Sequence, residues 1–330
     1  MRTTLDNASK FLRLLARRRS AYPHEIQIEV TNACNMKCAM CPHTHGAIPQ
    51  EDFSVELFRD LVQHNPAPKR LVLTGWGEPL LHRHFFELIE MTNRSWPSAK
   101  VRFTTNGILL HEENRRRIAQ YQISGITASV DLWPERDSIS PEWRTILHPP
   151  SPKTFRNLVD YSEDQDLQRR TPLMLQCLLV GENEEDVRQY IRFAAQRSLA
   201  AVNLVRMQSY PQNSARRPDW PDEQRMISSL IQFGRKLGVS VRSVNRQPPA
   251  LQFATHFDRI CLRTDDSLYI TVDGGVTPCC NLRDYRIGAL SSQNISIADA
   301  WNSDRERTFF SDQSPVCGKC DALFHKYRED

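Results

Sequence analysis

Cys34, Cys38 and Cys41 fall within one short segment directly after an apolar run at 25–30. Three thiolates so close in sequence can fold round one face of a cubane iron–sulfur cluster and leave its fourth iron without a protein ligand. An open coordination position is what a metal site needs in order to bind and transform a substrate or cofactor. The same thiolates would also suit zinc if a fourth ligand were recruited, with His43 or His45 at hand. A second group follows near the C-terminal end: Cys261, Cys279, Cys280, Cys317 and Cys320. A C-x2-C pair at Cys317 and Cys320 with two distant cysteines fits a four-iron cluster ligated only by protein, or a structural zinc. Spacing separates neither pair of alternatives.

The elements that must carry these residues alternate. Short apolar runs at 25–30, 70–74, 100–104, 125–130, 172–180 and 201–207 read as strands. Helical patterns follow at 54–63, 84–93, 111–121, 153–168, 184–198 and 222–238, with Asn183 placed as an N-cap ahead of an acidic first turn. Such alternation predicts parallel strands joined by right-handed crossovers. Six units are fewer than a closed barrel needs, so the expected fold is α/β, a partial (β/α)6 barrel with its site at the C-terminal strand ends. Past Gly238 the pattern changes. The stretch 242–250 carries Pro248 and Pro249 and reads as a linker; runs at 267–272 and 276–280 flank Asp273-Gly274-Gly275 and read as a β-hairpin. The expected division is a basic segment at 1–24, a core at 25–240, and a small hairpin and helix domain at 241–330.

Several segments then match one superfamily in order. The C-x3-C-x2-C spacing of Cys34, Cys38 and Cys41 resembles that of the radical S-adenosylmethionine (SAM) superfamily. Thr74-Gly75-Trp76-Gly77-Glu78-Pro79 resembles its Gly-Gly-Glu-Pro motif after the second strand, with Trp76 in place of one glycine. Thr104-Thr105-Asn106-Gly107 matches a turn after the third strand, and Ser129-Val130-Asp131 an end of the fourth, followed here by Leu132 where glycine is common. The resemblance implies that the open iron chelates SAM and cleaves it to a 5′-deoxyadenosyl radical, which takes a hydrogen atom from substrate. It implies SAM contacts at Gly77, Glu78, Pro79, Thr104, Asn106, Ser129 and Asp131, and a flavodoxin- or ferredoxin-type electron donor. The C-terminal cysteines, with Gly274-x4-Cys279 and Trp301-Asn302, resemble a shortened SPASM (twitch-type) extension. That implies one auxiliary [4Fe–4S] cluster on Cys261, Cys279, Cys317 and Cys320. Gly275-x4-Cys280 has the same spacing, so Cys280 competes with Cys279 as the ligand.

Composition narrows partners and compartment. The chain has 330 residues, 40% apolar and 25% charged, with a net charge of only +4, so no global field argues for nucleic acid. The basic stretch 10–19 reads as a solvated leading helix, with a membrane or partner surface as the alternative. No apolar stretch approaches a membrane span and no secretory signal is evident; clustered cysteines then point to metal ligands in a reducing cytoplasm. Cys177, inside an apolar strand, reads as an inert buried thiol. The histidines His43, His45, His82 and His84 read as exposed loop residues.

The expected activity is hydrogen-atom abstraction from a small polar substrate, with epimerisation or alcohol dehydrogenation as the outcome. Relatives with one auxiliary cluster include dehydrogenases and epimerases of aminocyclitol antibiotic pathways. Peptide-modifying relatives usually carry an extra N-terminal recognition domain, and only about 24 residues precede the first strand here. A thiol at Cys280 could return a hydrogen atom to the substrate radical. Peptide modification is the alternative activity. A non-catalytic metal-binding protein is the alternative class, for which a series of SAM-like strand-end motifs has no use.

Overall fold

The alternation of apolar runs and amphipathic segments is realised as one predominantly parallel sheet backed by helices. The protein is described here by a computed structural model, which covers residues 20–38, 41, 44, 49–136, 140, 147, 151–206, 219–243, 264, 266–291, 296–311 and 317. In chain order the elements are β1 (Glu25–Ile28), α1 (Val55–His64), β2 (Arg70–Leu73), α2 (Phe85–Ser95), β3 (Lys100–Thr105), α3 (Glu112–Ile118) and β4 (Gly125–Ser129). Next come α4 (Pro152–Glu163), α5 (Gln165–Arg170), β5 (Leu173–Leu179), α6 (Glu184–Gln196), β6 (Ala201–Arg206), α7 (Trp220–Lys236) and β7 (Val241–Ser243). The C-terminal part supplies β8 (Ser267–Ile270), β9 (Gly275–Thr277), β10 (Gly288–Ala289), α8 (Ile297–Trp301) and α9 (Asp304–Ser311). The sheet runs β10-β9-β8-β1-β2-β3-β4-β5-β6-β7, parallel from β8 through β7.

Strand register explains the core. Ile26 pairs with Leu71 and Ile28 with Leu73, all fully buried, while Gln27 and Val72 between them face the other side. Phe103, Ile126 and Leu175 continue the buried side, and the apolar stripes of the helices cover it through Phe58, Leu61, Leu88 and Tyr190. At about 25 cal/mol for each Å² of apolar surface removed from water, this continuous layer is the main source of stability. Helix starts are set locally: the side chains of Ser54, Ser151 and Asp219 accept bonds from Leu57 N, Thr154 N and Asp222 N.

The structure departs from the sequence reading in four places. The helix expected over 153–168 breaks at Asp164, whose carboxylate accepts from Leu167 N and restarts the chain as α5. Asn183 occupies the N-cap of α6 but makes no cap bond; its amide donates to Leu178 O and Asp131 O, joining the ends of β4 and β5. The segment expected to be linker opens with β7, a seventh strand parallel to β6. The C-terminal hairpin is no separate sheet: β8 lies parallel to β1, β9 turns back on β8, and the second strand ends at Thr277. Pro278 follows and has no N–H to continue a ladder. The basic stretch 10–19 and the rest of the expected linker, 244–250, lie outside the described residues.

The hairpin turn needs glycine for two reasons. Gly274 has φ +83°, and a Cβ there would stand 2.9 Å from the Leu290 carbonyl oxygen. Gly238, at φ +74°, has nothing within 4 Å of that position. Gly238→Ala should therefore cost only the left-handed penalty, about 1 kcal/mol, and Gly274→Ala about twice that or more. Urea denaturation compares them, and equal losses would contradict the clash.

Candidate functional site

The cysteine loop is built outward from the end of β1. Asn32 is buried there; its Nδ2 donates to Pro49 O (2.9 Å) and its Oδ1 accepts from Glu51 N (2.7 Å). Thr31 pairs with Asp52 in an antiparallel bridge. One short side chain thus closes the base of the loop that carries Cys34, Cys38 and Cys41. Within it, Cys41 N and Thr44 Oγ1 both donate to Cys38 O, at 2.9 and 2.8 Å.

Two further loops are fastened to this one. Glu78 is buried, and its carboxylate accepts from Leu80 N (3.2 Å), Thr105 Oγ1 (2.8 Å) and Asn106 N (2.8 Å). Its own N–H donates to Ala33 O at 2.8 Å, beside Cys34. Asn106 completes the triangle by donating from Nδ2 to Asn35 Oδ1 at 2.7 Å. Gly77 lies so close that an added Cβ would be 2.4 Å from Thr31 O and 2.5 Å from Ala33 O. The glycine is required by backbone meeting backbone. Glu78 therefore acts through the chain's own donors; burial, only partly countered by those bonds, pushes its pKa up to about 7.

A cavity of about 590 Å³ opens at the C-terminal strand ends. Cys34, Cys38 and Cys41 line it, as do Gly77, Glu78, Thr104, Asn106, Ser129 and Asp131. Cys280 also reaches it, whereas Pro79 lies in the short helical turn behind and Cys279 is not on its wall. Sequence reasoning missed Gln27 and Gln176 on the cavity floor. Their signal was a polar residue at an alternate position of an otherwise apolar strand. Gln27 Nε2 donates to Thr74 O at 2.8 Å. Asp131 accepts from Leu178 N, and burial pushes its pKa up to about 6.

The donor set suits an iron–sulfur cluster. All three loop cysteines carry thiols rather than disulfides. Burial raises the pKa of Cys34, and burial followed by the charge of Asp131 pushes Cys38 up to about 12, so ligation by either must release a proton. Among the described residues no three His, Cys, Asp or Glu side chains converge on a single ion. All three cysteines instead line one larger cavity, which suits a cluster in which each thiolate takes its own iron. His43 and His45, the recruits for zinc, lie outside the described residues.

At the second cysteine group, Cys317 is buried against Phe309, Leu282 and Tyr285, next to the turn bearing Cys279 and Cys280. Cys261 and Cys320 lie outside the described residues. Cys177 is buried in β5 with its pKa raised well above normal by burial. The expectation of exposed loop histidines is corrected at His82, which is buried: Nε2 donates to Phe53 O (3.1 Å) and Nδ1 accepts from His84 N (3.0 Å).

Comparison with known proteins agrees with this geometry. Residues 28–194 match the radical SAM superfamily, and residues 261–321 match SPASM, an iron–sulfur cluster-binding domain. The chain belongs to the radical SAM superfamily and carries a SPASM domain. Its cofactors are accordingly SAM, a SAM-binding [4Fe–4S] cluster and auxiliary [4Fe–4S] iron. A tungsten-containing aldehyde ferredoxin oxidoreductase cofactor-modifying protein of Pyrococcus furiosus is 22% identical over 305 residues, 86% of this chain and 82% of that protein. Mycofactocin maturase MftC of Mycobacterium ulcerans is 27% identical over 111 residues, 31% of this chain and 30% of that protein. The fold is that of SuiB from Streptococcus suis bound to S-adenosylmethionine, at a TM-score of 0.72 and 14% identity, covering 97% of this chain and 76% of that one. Among the described residues no helix is long and apolar enough to cross a membrane.

Replacing Cys34, Cys38 and Cys41 together by Ala should abolish SAM cleavage and lower bound iron by about half. Deoxyadenosine formation by that variant would remove the assignment. His82 makes a separate pH prediction. Burial lowers its pKa, so its stabilising contribution is full above the ordinary histidine value and is lost as pH falls through the folded value. Thermal melts between pH 7 and 5 should show a smaller acid loss in His82→Gln, whose amide can keep one donor and one acceptor.

Proposed function

We propose that this enzyme abstracts a hydrogen atom from a carbon of a small polar substrate and that Cys280 returns one, so that the carbon is epimerised. The observation carrying this is the presence of Cys280 on the same cavity wall system as Cys34, Cys38 and Cys41. When bound, SAM and its cluster supply the carbon radical that takes the substrate hydrogen. The residues of this chain do the rest. Cys34, Cys38 and Cys41 hold the cluster; Gly77, Glu78, Pro79, Thr104, Asn106, Ser129 and Asp131 shape and bind the SAM pocket. Cys280 gives its S–H hydrogen to the substrate radical, forming a C–H bond and leaving a thiyl. One electron and one proton restore the thiol. A second electron initiates each turnover, and a ferredoxin- or flavodoxin-type donor provides both.

The floor of the cavity supports the substrate class. Beside the groups given to SAM, Gln27, Thr74 and Gln176 line it with uncharged hydrogen-bonding groups, matched to hydroxyls or amides. A small aminocyclitol or sugar-like molecule fits that lining. A second reading, modification of a peptide, is favoured by the resemblance to the maturase MftC and by the fold shared with SuiB, also solved bound to precursor peptide SuiA. Cys261, Cys279, Cys317 and Cys320 hold one auxiliary cluster in a C-terminal unit over 241–330, following a core at 25–240. Clustered cysteines acting as cluster ligands favour a reducing compartment, the cytoplasm.

Incubation with aminocyclitol intermediates and with short peptides in deuterated water tests both readings. Epimerisation puts solvent deuterium into product through the exchangeable thiol. Cys280→Ala should still cleave SAM but form no epimer. If it turns over normally and product loses two mass units, dehydrogenation driven by the auxiliary cluster replaces this proposal.

A further inference from the structure

The side chain of Glu29, one residue past the end of β1, is fully buried and joins three segments distant in sequence. Its Oε1 accepts from Trp76 N at 3.0 Å and from Arg283 Nη1 at 2.5 Å. Its Oε2 accepts from Val272 N at 3.1 Å. The Arg283 guanidinium also lies 4.3 Å over the Trp76 indole ring and reaches the hydroxyl of buried Tyr269 at 3.4 Å. Space is filled on the remaining side, since a Cβ on Gly75 would stand 2.2 Å from Glu29 Cγ. A buried ion pair repays its desolvation only with good geometry and further bonds, and its best-attested use is to fix a register. Here the two charges sit on different parts of the chain: Glu29 leads into the cysteine loop, and Arg283 follows Cys280 in the C-terminal part.

We infer that Arg283 is a positioning residue that, through Glu29 and the Trp76 ring, sets the distance between the 74–79 loop and the wall bearing Cys280. The inference rests on the reading of that loop as part of the SAM seat. Trp76 and Cys280 line the same cavity, so their relative placement decides where a substrate carbon sits between cofactor and thiol. The pair also accounts for the tryptophan at position 76. A glycine there would leave the flat face of Arg283 without a ring to cover, and position 76 would meet the ion pair only through its backbone bond to Glu29. Arginine suits the task better than lysine because its planar group can bond a carboxylate and stack on an indole at once.

Hydrogen–deuterium exchange on the full-length protein, with and without bound clusters, tests this together with SAM binding. In Arg283→Met, amides of 75–78 and Val272 should exchange about tenfold faster, although the substitution is in neither segment. SAM should bind about tenfold more weakly, with Arg283→Lys intermediate in both measurements. A rise confined to 279–286 overturns the clamp. Faster exchange at 75–78 with unchanged SAM affinity supports the clamp and overturns the reading of that loop as a SAM seat. If Arg283→Met does not fold, Arg283→Lys keeps the charge beside Glu29 but loses the flat stack, and unchanged exchange at 75–78 in that variant overturns the proposal.

Discussion

The carboxylate of Glu78 is the group on which the site depends. Burial of a carboxylate is costly unless its lone pairs are met, and here three donors from its own loop and from the end of β3 meet them. Because its backbone N–H is bonded to Ala33, the same residue fixes the cysteine loop against both. Three loops that are far apart in sequence thus share one anchor. Burial outweighs the bonds that favour the ionised form, and the pKa of Glu78 is raised.

Parallel topology supplies the other constraint. Strands running in one direction deliver their following loops to one end of the sheet, so cysteine loop, Glu78 loop, Asn106 turn and Asp131 meet without long connections. The placement of β8 beside β1 extends that logic to the C-terminal part. β1 is flanked by β2 on one side and β8 on the other, and the cysteine loop emerges between them. The turn bearing Cys279 and Cys280 is therefore brought toward the cysteine loop by sheet hydrogen bonds, and Cys280 reaches the common cavity.

The chain departs from the motifs it resembles at a few positions. Trp76 stands where a glycine is usual, and Arg283 covers it. Leu132 follows Asp131 and is buried, its carbonyl accepting from the Tyr190 hydroxyl at 2.7 Å. Asn183 then fixes the Asp131 carbonyl from the far side. These bonds hold the end of β4 by tertiary contacts in place of a glycine turn.

The sequence by itself determined the class of chemistry and the order of the elements. Cysteine spacing, the Gly77-Glu78-Pro79 segment and the Asn106-Gly107 turn are local patterns, and local patterns survive in one dimension. Strand and helix positions through β6 were legible for the same reason, since apolar periodicity is a property of consecutive residues. Only the tertiary structure decided that β8 joins β1, that Asn183 faces two strand ends instead of capping its helix, and that His82 is a buried, satisfied ring. Each depends on partners tens to hundreds of residues away. That Cys280 lines the cavity and Cys279 does not was of the same kind. Adjacent residues with equivalent spacing motifs differ only in direction, and that direction belongs to the turn after Pro278, which the Leu282 N to Cys279 O bond closes.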